Sequence, residues 1–479
     1  MDKVYDCIII GAGIVGSFIA RNLSKYDCNI LVLEKNNDVG DETTSANSAI
    51  VHSGYDPKPG TKKAYFNVKG NKMMEKVCNE LDCDFIKNGS LTIGFNDEDL
   101  NVIKELNKRA KLNGVNSKII YHDELHKMEP NLNDECKYAL YCEDSGIVNP
   151  FRLCVGAMEN AIDNGAQLKL NSKVIDIKKK ENLYEVKTNS EVFYSKSIIN
   201  SSGVYGKEIY SLVENSDLEI IPRKGEYILL NHFNNDWVRH TLFMCPTKVG
   251  KGVLISPTTS FNYIIGPSNE ISSKEDTSTD PITIENIKES ARKLIKNLPL
   301  DKTIRYFAGT RANPINDDFI IKESEQNPLF FNVIGIMSPG LASSPAIGEE
   351  VAIMIKNKLN LKDNKNFNPF IKKHINKKNM TIEEINRNIK LNPKFGHLIC
   401  RCEKISEAEI VDVIHRNCGA TTVKGVKKRI RSGFGLCQGT FCQEEVVKIL
   451  ARELNKNISE IEYSNKGSNI MKYSNKGAK

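Results

Sequence analysis

The chain has 479 residues, 40% hydrophobic and 27% charged, and at roughly 150 residues per domain that length predicts two or three domains with cores of their own. A mean hydropathy of -0.38, and a longest apolar stretch (Cys7 to Ala20) that three glycines interrupt and that falls short of the ~20 residues of a spanning helix, exclude an integral membrane helix. Sixty-seven basic against sixty acidic residues leave a net charge of +7, which suits an anionic small molecule and falls short of a nucleic-acid-binding footprint.

Met1-Asp2-Lys3 leads straight into a strand-like run, with no basic n-region and no small-residue cleavage site, so a cytoplasmic protein is expected. Residues 4–10 (VYDCIII) read as a buried strand. Gly11-Ala12-Gly13-Ile14-Val15-Gly16 follows as a tight turn opening a helix to about Ser24, and a second strand, Asn29 to Leu33, ends at Glu34. This βαβ unit carries the dinucleotide fingerprint: Gly11, Gly13 and Gly16 let the backbone approach a pyrophosphate at a helix N-terminus. Glu34, eighteen residues beyond Gly16, is placed to accept hydrogen bonds from a ribose hydroxyl.

Further along, 161–177 reads as helix, turn and strand, and 197–206 as a buried strand with a small-residue turn. Residues 330–355 read as a strand, a turn containing Gly335, Ser338, Pro339 and Gly340, and an apolar helix whose N-terminal amides would face a ring carbonyl or an anion. The intervening 77–148 and 218–325 alternate β-rich and polar stretches, as a second, discontinuous domain would. Residues 361–394, rich in Lys and Asn, read as a linker. The pentapeptide Tyr-Ser-Asn-Lys-Gly occurs at 463–467 and again at 473–477, and 456–479 read as a disordered tail.

Of thirteen cysteines, four stand as Cys400-x-Cys402 and Cys437-x4-Cys442. Disulfides are not expected in a reducing compartment, so the four read as a metal centre, for zinc or for iron and sulfide. Neither pair has the CxxC spacing of a zinc knuckle. The other nine read as buried thiols. The basic run Lys424, Lys427, Lys428, Arg429 and Arg431 reads either as a docking face for an acidic partner or as a solvated face.

The block Thr43-Thr44-Ser45-Ala46-Asn47-Ser48-Ala49-Ile50-Val51-His52-Ser53-Gly54, with Arg223-Lys224-Gly225-Glu226-Tyr227, Gly250-Lys251-Gly252, Ala308-Gly309-Thr310-Arg311 and Ser338-Pro339, resembles the FAD-dependent glycerol-3-phosphate dehydrogenases and oxidases, within the D-amino-acid-oxidase-like flavoproteins. Cys400-Arg401-Cys402-Glu403 and Gly433-Phe434-Gly435-Leu436-Cys437-Gln438-Gly439 resemble the bacterioferritin-associated-ferredoxin-like [2Fe-2S] domain. The resemblance implies an α/β fold. An FAD-binding Rossmann-like domain (1–76, 149–217 and 326–360) would be interleaved with an α+β substrate domain (77–148 and 218–325), and a small helical [2Fe-2S] domain (395–455) would follow the linker.

By the same resemblance the catalytic base falls on His52 and the substrate phosphate on Lys251 and Arg311, with Ser338 nearby. FAD contacts fall on Gly11, Gly13, Ile14, Val15, Gly16, Glu34, Lys35, Thr43, Thr44, Ser45, Asn47, Ser48, Val174, Ser202, Gly203, Gly335, Gly340, Leu341, Ala342 and Ser343. The cluster ligands would be Cys400, Cys402, Cys437 and Cys442. A base beside a secondary alcohol, with a guanidinium and an ammonium for the phosphate, is chemistry such a substrate needs. The implied activity is oxidation of sn-glycerol 3-phosphate to dihydroxyacetone phosphate, with electrons passing through [2Fe-2S] to an accepting protein subunit, through which the chain could lie at the membrane periphery. A dehydrogenase of L-2-hydroxyglutarate, or of another 2-hydroxy acid or amine, and an electron-relay flavoprotein stand as alternatives. Where the family often has glycine after the histidine, this chain has Ser53.

Overall fold

The computed structural model describes residues 3–234, 236–246, 252–377 and 380–471. Strand β1 (Val4–Ile10), helix α1 (Ile14–Leu23) and strand β2 (Ile30–Leu33) form where the apolar runs place them. β1 is parallel to β2 on one side and to Val192–Asn200 on the other. Gln167–Lys169 pairs with β2 as an edge strand. The long strand Val192–Asn200 is shared: its first half pairs antiparallel with Leu183–Thr188, its second half parallel with Phe330–Ile334. A sheet of eight strands results.

Successive side chains of β1 point to opposite faces. Cys7 and Ile9 meet a core under α1, Lys62–Glu80, Pro150–Asp163 and Gly340–Leu359, which contribute Ile19, Leu23, Phe66, Met158, Ile347 and Val351. Ile8 and Ile10 meet Tyr184, Phe193, Ile209 and Tyr210 on the other face. Burial on both faces explains why β1 reads as a continuous apolar run, each large side chain contributing about 1.5–3 kcal/mol relative to exposure.

A second, nine-stranded sheet has a core of its own around Leu91, Ile228, Leu242, Ile255 and Ile265, closed by helix Pro281–Leu294. Its backbone is the antiparallel pair Ile220–Leu230 and Thr303–Pro314, with Gly225 opposite Gly309 and Arg223 opposite Arg311. That pair reaches the first domain, where Thr43 Oγ1 donates to Thr310 O at 2.6 Å. Helix Lys62–Glu80 runs unbroken across the expected boundary at residue 76.

The structure corrects two segments. Residues 361–377 are no free linker: Ile371 is buried against the first domain, and Asn368 O accepts from Asn160 and Asn164. Polar side chains there satisfy neighbouring backbone, which composition alone reads as solubility. Helix Ile382–Leu391 follows, with a Thr381–Glu384 capping box. Within 456–471 the tail packs on its neighbours: Glu462 O and Tyr463 O accept the Val423 and Lys424 amides, and Asn37 Nδ2 donates to Ser464 O at 2.5 Å. The repeat at 473–477 lies outside the described residues.

The C-terminal unit packs three helices, Glu407–Ile414, Val423–Ile430 and Gln443–Glu453, around Ile410, Val413, Val426, Val446 and Leu450. Three members of its basic run, Lys424, Lys428 and Arg429, pair with the first domain and are not a solvated face. Arg429, 1% exposed, makes a fork onto Asp38 (Nη1–Oδ2 and Nη2–Oδ1, both 2.9 Å), and Lys428 reaches Asp38 at 2.8 Å and Asp41 at 2.9 Å. Arg416 Nε donates to Glu159 at 2.9 and 3.0 Å. The C-terminal unit is thus bolted to the first domain by buried charge pairs. Among the described residues no helix is long and apolar enough to cross a membrane.

Candidate functional site

A cavity of about 870 Å³ opens between the two sheets, at the ends of β1 and β2. Gly11 (φ +101°) turns the chain at its floor, where a Cβ would stand 2.8 Å from Ser201 O. A Cβ on Gly16 would stand 2.0 Å from Gly11 O, so the close turn demands glycine at both positions. α1 starts at Gly13 with no side-chain cap and no acidic residue in its first turn, and Thr44 Oγ1 accepts the Ile14 amide at 3.0 Å. Such a helix start suits an anionic group. Glu34 is buried beside it, accepting from the Ala12 and Asn36 amides at 2.8 and 2.9 Å, and burial raises its pKa above the usual carboxylate value.

The wall gathers most of the expected cofactor contacts: Gly11, Gly13, Ile14, Val15, Glu34, Lys35, Thr43, Thr44, Asn47, Ser48, Val174, Ser202, Gly203, Gly340 and Leu341. Five fall elsewhere. Gly16 permits the turn from behind, and Gly335 (φ +65°) turns the chain against Pro314. Ala342 packs its carbonyl against Gly70, Ser343 donates to Pro339 O at 3.0 Å, and Ser45 faces a neighbouring cavity. The helix at Gly340 also lacks a side-chain cap and begins in the wall.

His52 follows the two-residue strand Ile50–Val51 and lines the same cavity. Its carbonyl accepts from Asn67 at 2.6 Å and Asn71 at 3.2 Å, both on helix Lys62–Glu80, and its ring stacks on Phe243 at 5.6 Å. Ser53 is buried beside it. Across the cavity, Arg311 Nη2 donates to Lys224 O (3.1 Å) and Ser268 O (2.7 Å), while its buried Nε has no partner among the described residues. Gly225 makes room for this guanidinium, since a Cβ there would stand 2.9 Å from Nη2. The Arg-Lys-Gly-Glu-Tyr motif therefore seats Arg311, and Tyr227 at its end lines the cavity. Ser338 is in the wall; Lys251 lies outside the described residues.

Sequence reasoning missed Phe243, Tyr205 and Met337. Tyr205 and Met337 lie in the turns beside Gly203 and Ser338 that the sequence marks, whereas Phe243 sits on a distant strand that only the fold brings to His52.

The four expected cysteine ligands converge in two pairs. Cys402 Sγ lies 3.8 Å from Cys437 Sγ near the surface, and Cys400 and Cys442 are buried. A hydrogen bond from the Cys442 thiol, with the Gly433 and Glu403 amides, lowers the Cys400 pKa to about 6. The Gly439 and Phe441 amides favour the Cys437 thiolate. Gly435 covers Cys402, since a Cβ there would stand 2.3 Å from Cys402 Cβ. Among the described residues no three or more His, Cys, Asp or Glu side chains surround a single-ion position. Two thiolate pairs with amide donors fit a two-iron cluster, one pair to each iron. The remaining cysteines are chiefly buried, and burial pushes Cys7, Cys142 and Cys154 up to about 12.

A dinucleotide cradle, a histidine and an open-handed arginine on one cavity, and a separate paired-thiolate centre define a two-cofactor redox protein. Residues 6–354 match the family described as DAO, FAD dependent oxidoreductase, and the chain belongs to it. Residues 398–452 match the BFD-like [2Fe-2S] binding domain, so the cofactors are FAD and a [2Fe-2S] cluster. A glycerol 3-phosphate dehydrogenase of Caloramator mitchellensis is 44% identical over 474 residues, 98% of each chain. A glycerol 3-phosphate oxidase of Mycoplasma genitalium is 31% identical over 77% of this chain and 98% of its own. The structure of L-alpha-glycerophosphate oxidase from Mycoplasma pneumoniae, with FAD bound, superposes with a TM-score of 0.73 at 28% identity, over 77% of this chain and 98% of that one.

Proposed function

We propose that this chain oxidises sn-glycerol 3-phosphate at its secondary alcohol to dihydroxyacetone phosphate and passes the electrons through its [2Fe-2S] domain to a separate accepting protein. One observation carries the reading: Arg311, whose guanidinium meets backbone carbonyls and no acidic side chain among the described residues, shares a cavity with His52. A guanidinium without an acidic partner offers charge-assisted hydrogen bonds to an anionic substrate group. The 44% identity to a glycerol 3-phosphate dehydrogenase along the whole chain supports the same substrate.

Arg311 anchors the phosphate while its two backbone contacts hold the guanidinium plane. Lys251 supplies a second cation and Ser338 a hydroxyl. His52, its backbone fixed by Asn67 and Asn71 and its ring by Phe243, takes the hydroxyl proton as the carbinol hydrogen leaves. FAD, when bound, supplies the two-electron acceptor, and [2Fe-2S] the one-electron carrier. Gly11, Gly13 and the start of α1 hold the pyrophosphate, and Glu34 the ribose. Any contact with a membrane would run through the accepting protein.

Anaerobic stopped-flow of the holoprotein tests this. sn-Glycerol 3-phosphate should bleach the flavin, with cluster reduction following, and glycerol should not. Bleaching by L-2-hydroxyglutarate alone, or by no small substrate, would refute it.

A further inference from the structure

A second cavity, of about 820 Å³, lies where the flavin domain, the second sheet, the iron–sulfur domain and the ordered tail meet. Its described lining carries seven basic side chains against three acidic ones. Asp41 is held by Lys424 and Lys428, and Glu42 by Lys35. Arg431 pairs with Glu403, and Lys274 with Glu208. Two cations are left over. Among the described residues Arg305 and Lys427 have no acidic partner within 4 Å, although Lys427 is only 6% exposed and Arg305 and Arg431 both disfavour its charge.

Beside these cations the wall is aromatic. Lys427 Nζ lies 4.7 Å from the Phe434 ring centre, Phe434 faces Phe151 at 6.0 Å, and Tyr306 and Phe307 continue the surface. Uncompensated charge beside rings, in a volume typical of small-molecule sites, has the chemistry of a site for a phosphate carried on an aromatic group. We propose that this junction is a second ligand site, adjoining the flavin cavity along Lys35, Asp41, Glu42 and Tyr205, that binds an aromatic phosphate ester of mononucleotide size. The phosphate would lie between Arg305 and Lys427 and the ring against Phe434.

A competing account gives Lys427 the sole task of balancing the cluster thiolates, since Cys400 and Cys442 favour its charge. Arg305 separates the two. It is exposed on the strand Thr303–Pro314 and has no part in the cluster or the flavin cavity. The test is calorimetric titration of the FAD- and cluster-loaded protein with AMP, adenosine and orthophosphate. AMP should bind saturably and adenosine much more weakly. Arg305→Ala should weaken AMP roughly tenfold or more, as expected for a charge-assisted contact, and Arg305→Lys should recover part of the loss. Flavin reduction by sn-glycerol 3-phosphate should stay unchanged in both variants. No saturable AMP binding, or AMP binding indifferent to Arg305→Ala, would overturn the site. Orthophosphate binding as tightly as AMP would overturn its aromatic half.

Discussion

Replacing Arg429 with methionine should release the iron–sulfur domain from the flavin domain. The wild-type guanidinium is 1% exposed and makes two 2.9 Å bonds to Asp38, one through each Nη, together with bonds to Cys418 O and Gly425 O. Methionine preserves much of the volume and removes all of them. Asp38, 4% exposed, then keeps Lys428 at 2.8 Å but loses its fork. Breaking a buried pair while one partner stays charged costs about 3–5 kcal/mol. That is enough to raise the open population of the interface by about two to four orders of magnitude, at 1.36 kcal/mol per decade. Hydrogen exchange at 423–430 and at 38–41 reads it directly, and both segments should lose protection together. The double variant Asp38→Asn with Arg429→Met should be less destabilised than the sum of the two single changes, because no charge is left stranded. The paired cations hold the Asp38 carboxyl well below the usual carboxylate range. Its contribution is therefore fully present above the unfolded pKa of about 4 and is lost only as pH falls towards the folded value. Unchanged exchange in the methionine variant at neutral pH would refute the idea that this fork holds the domains together.

Four further outcomes follow from the geometry. His52→Ala should slow flavin reduction by sn-glycerol 3-phosphate by about 10²–10⁴-fold, the usual worth of a general base, with FAD content unchanged by absorbance. Arg311→Ala should lower kcat/KM for that substrate by about one to two orders of magnitude, the worth of a charge-assisted hydrogen bond, which steady-state kinetics will read. Cys402→Ser should abolish the iron–sulfur absorbance and the iron content while leaving the flavin in place. His374 is held near pKa 4, chiefly by burial and against the pull of Asp82, its Nδ1 lying 2.9 Å from both Arg152 Nη2 and Asp82 Oδ2. The neutral ring is therefore the bound form: docking of 361–377 is intact above the unfolded value of about 6.5 and weakens as pH falls from there to 4, seen as faster exchange at pH 5 than at pH 7.

The first βαβ unit was legible because every local signal agreed: an apolar strand, a glycine turn, a helix and an acidic residue at the second strand's end. The cysteine spacing was legible for the same reason, since thiolate chemistry leaves few alternatives. The fate of the basic run was not. Lys428 and Arg429 meet Asp38 and Asp41 across nearly 400 residues of chain, and a charge pair between distant segments leaves no periodic trace. Residues 361–377 misled for a related reason. Asn364 donates to Ser24 O, and the Asn368 carbonyl accepts from Asn160 and Asn164, so polar groups there pair across an interface, which composition cannot tell from solvation. Arg311 could be named as an anion contact from its motif, but its selective pairing through Nη2, with Nε left over, required the register of Gly225 against Gly309.

The return path of residues 361–377 across the flavin domain bears on how this architecture can be rebuilt. Cutting the chain at residue 360 would strip Ile371 from its seat against Leu81 and Gly156, and would strand Asp38 and Glu159 without Arg429 and Arg416. The truncated protein would be a damaged oxidoreductase, not a shorter working one. Grafting the iron–sulfur unit onto another flavoprotein faces the converse demand: the recipient needs acidic residues at the positions of Asp38, Asp41 and Glu159, and a surface ready to receive the strap. Joining this domain to a flavoprotein therefore demands a matching host face as well as a longer end, so fusion and adaptation of the host are one requirement in structural terms.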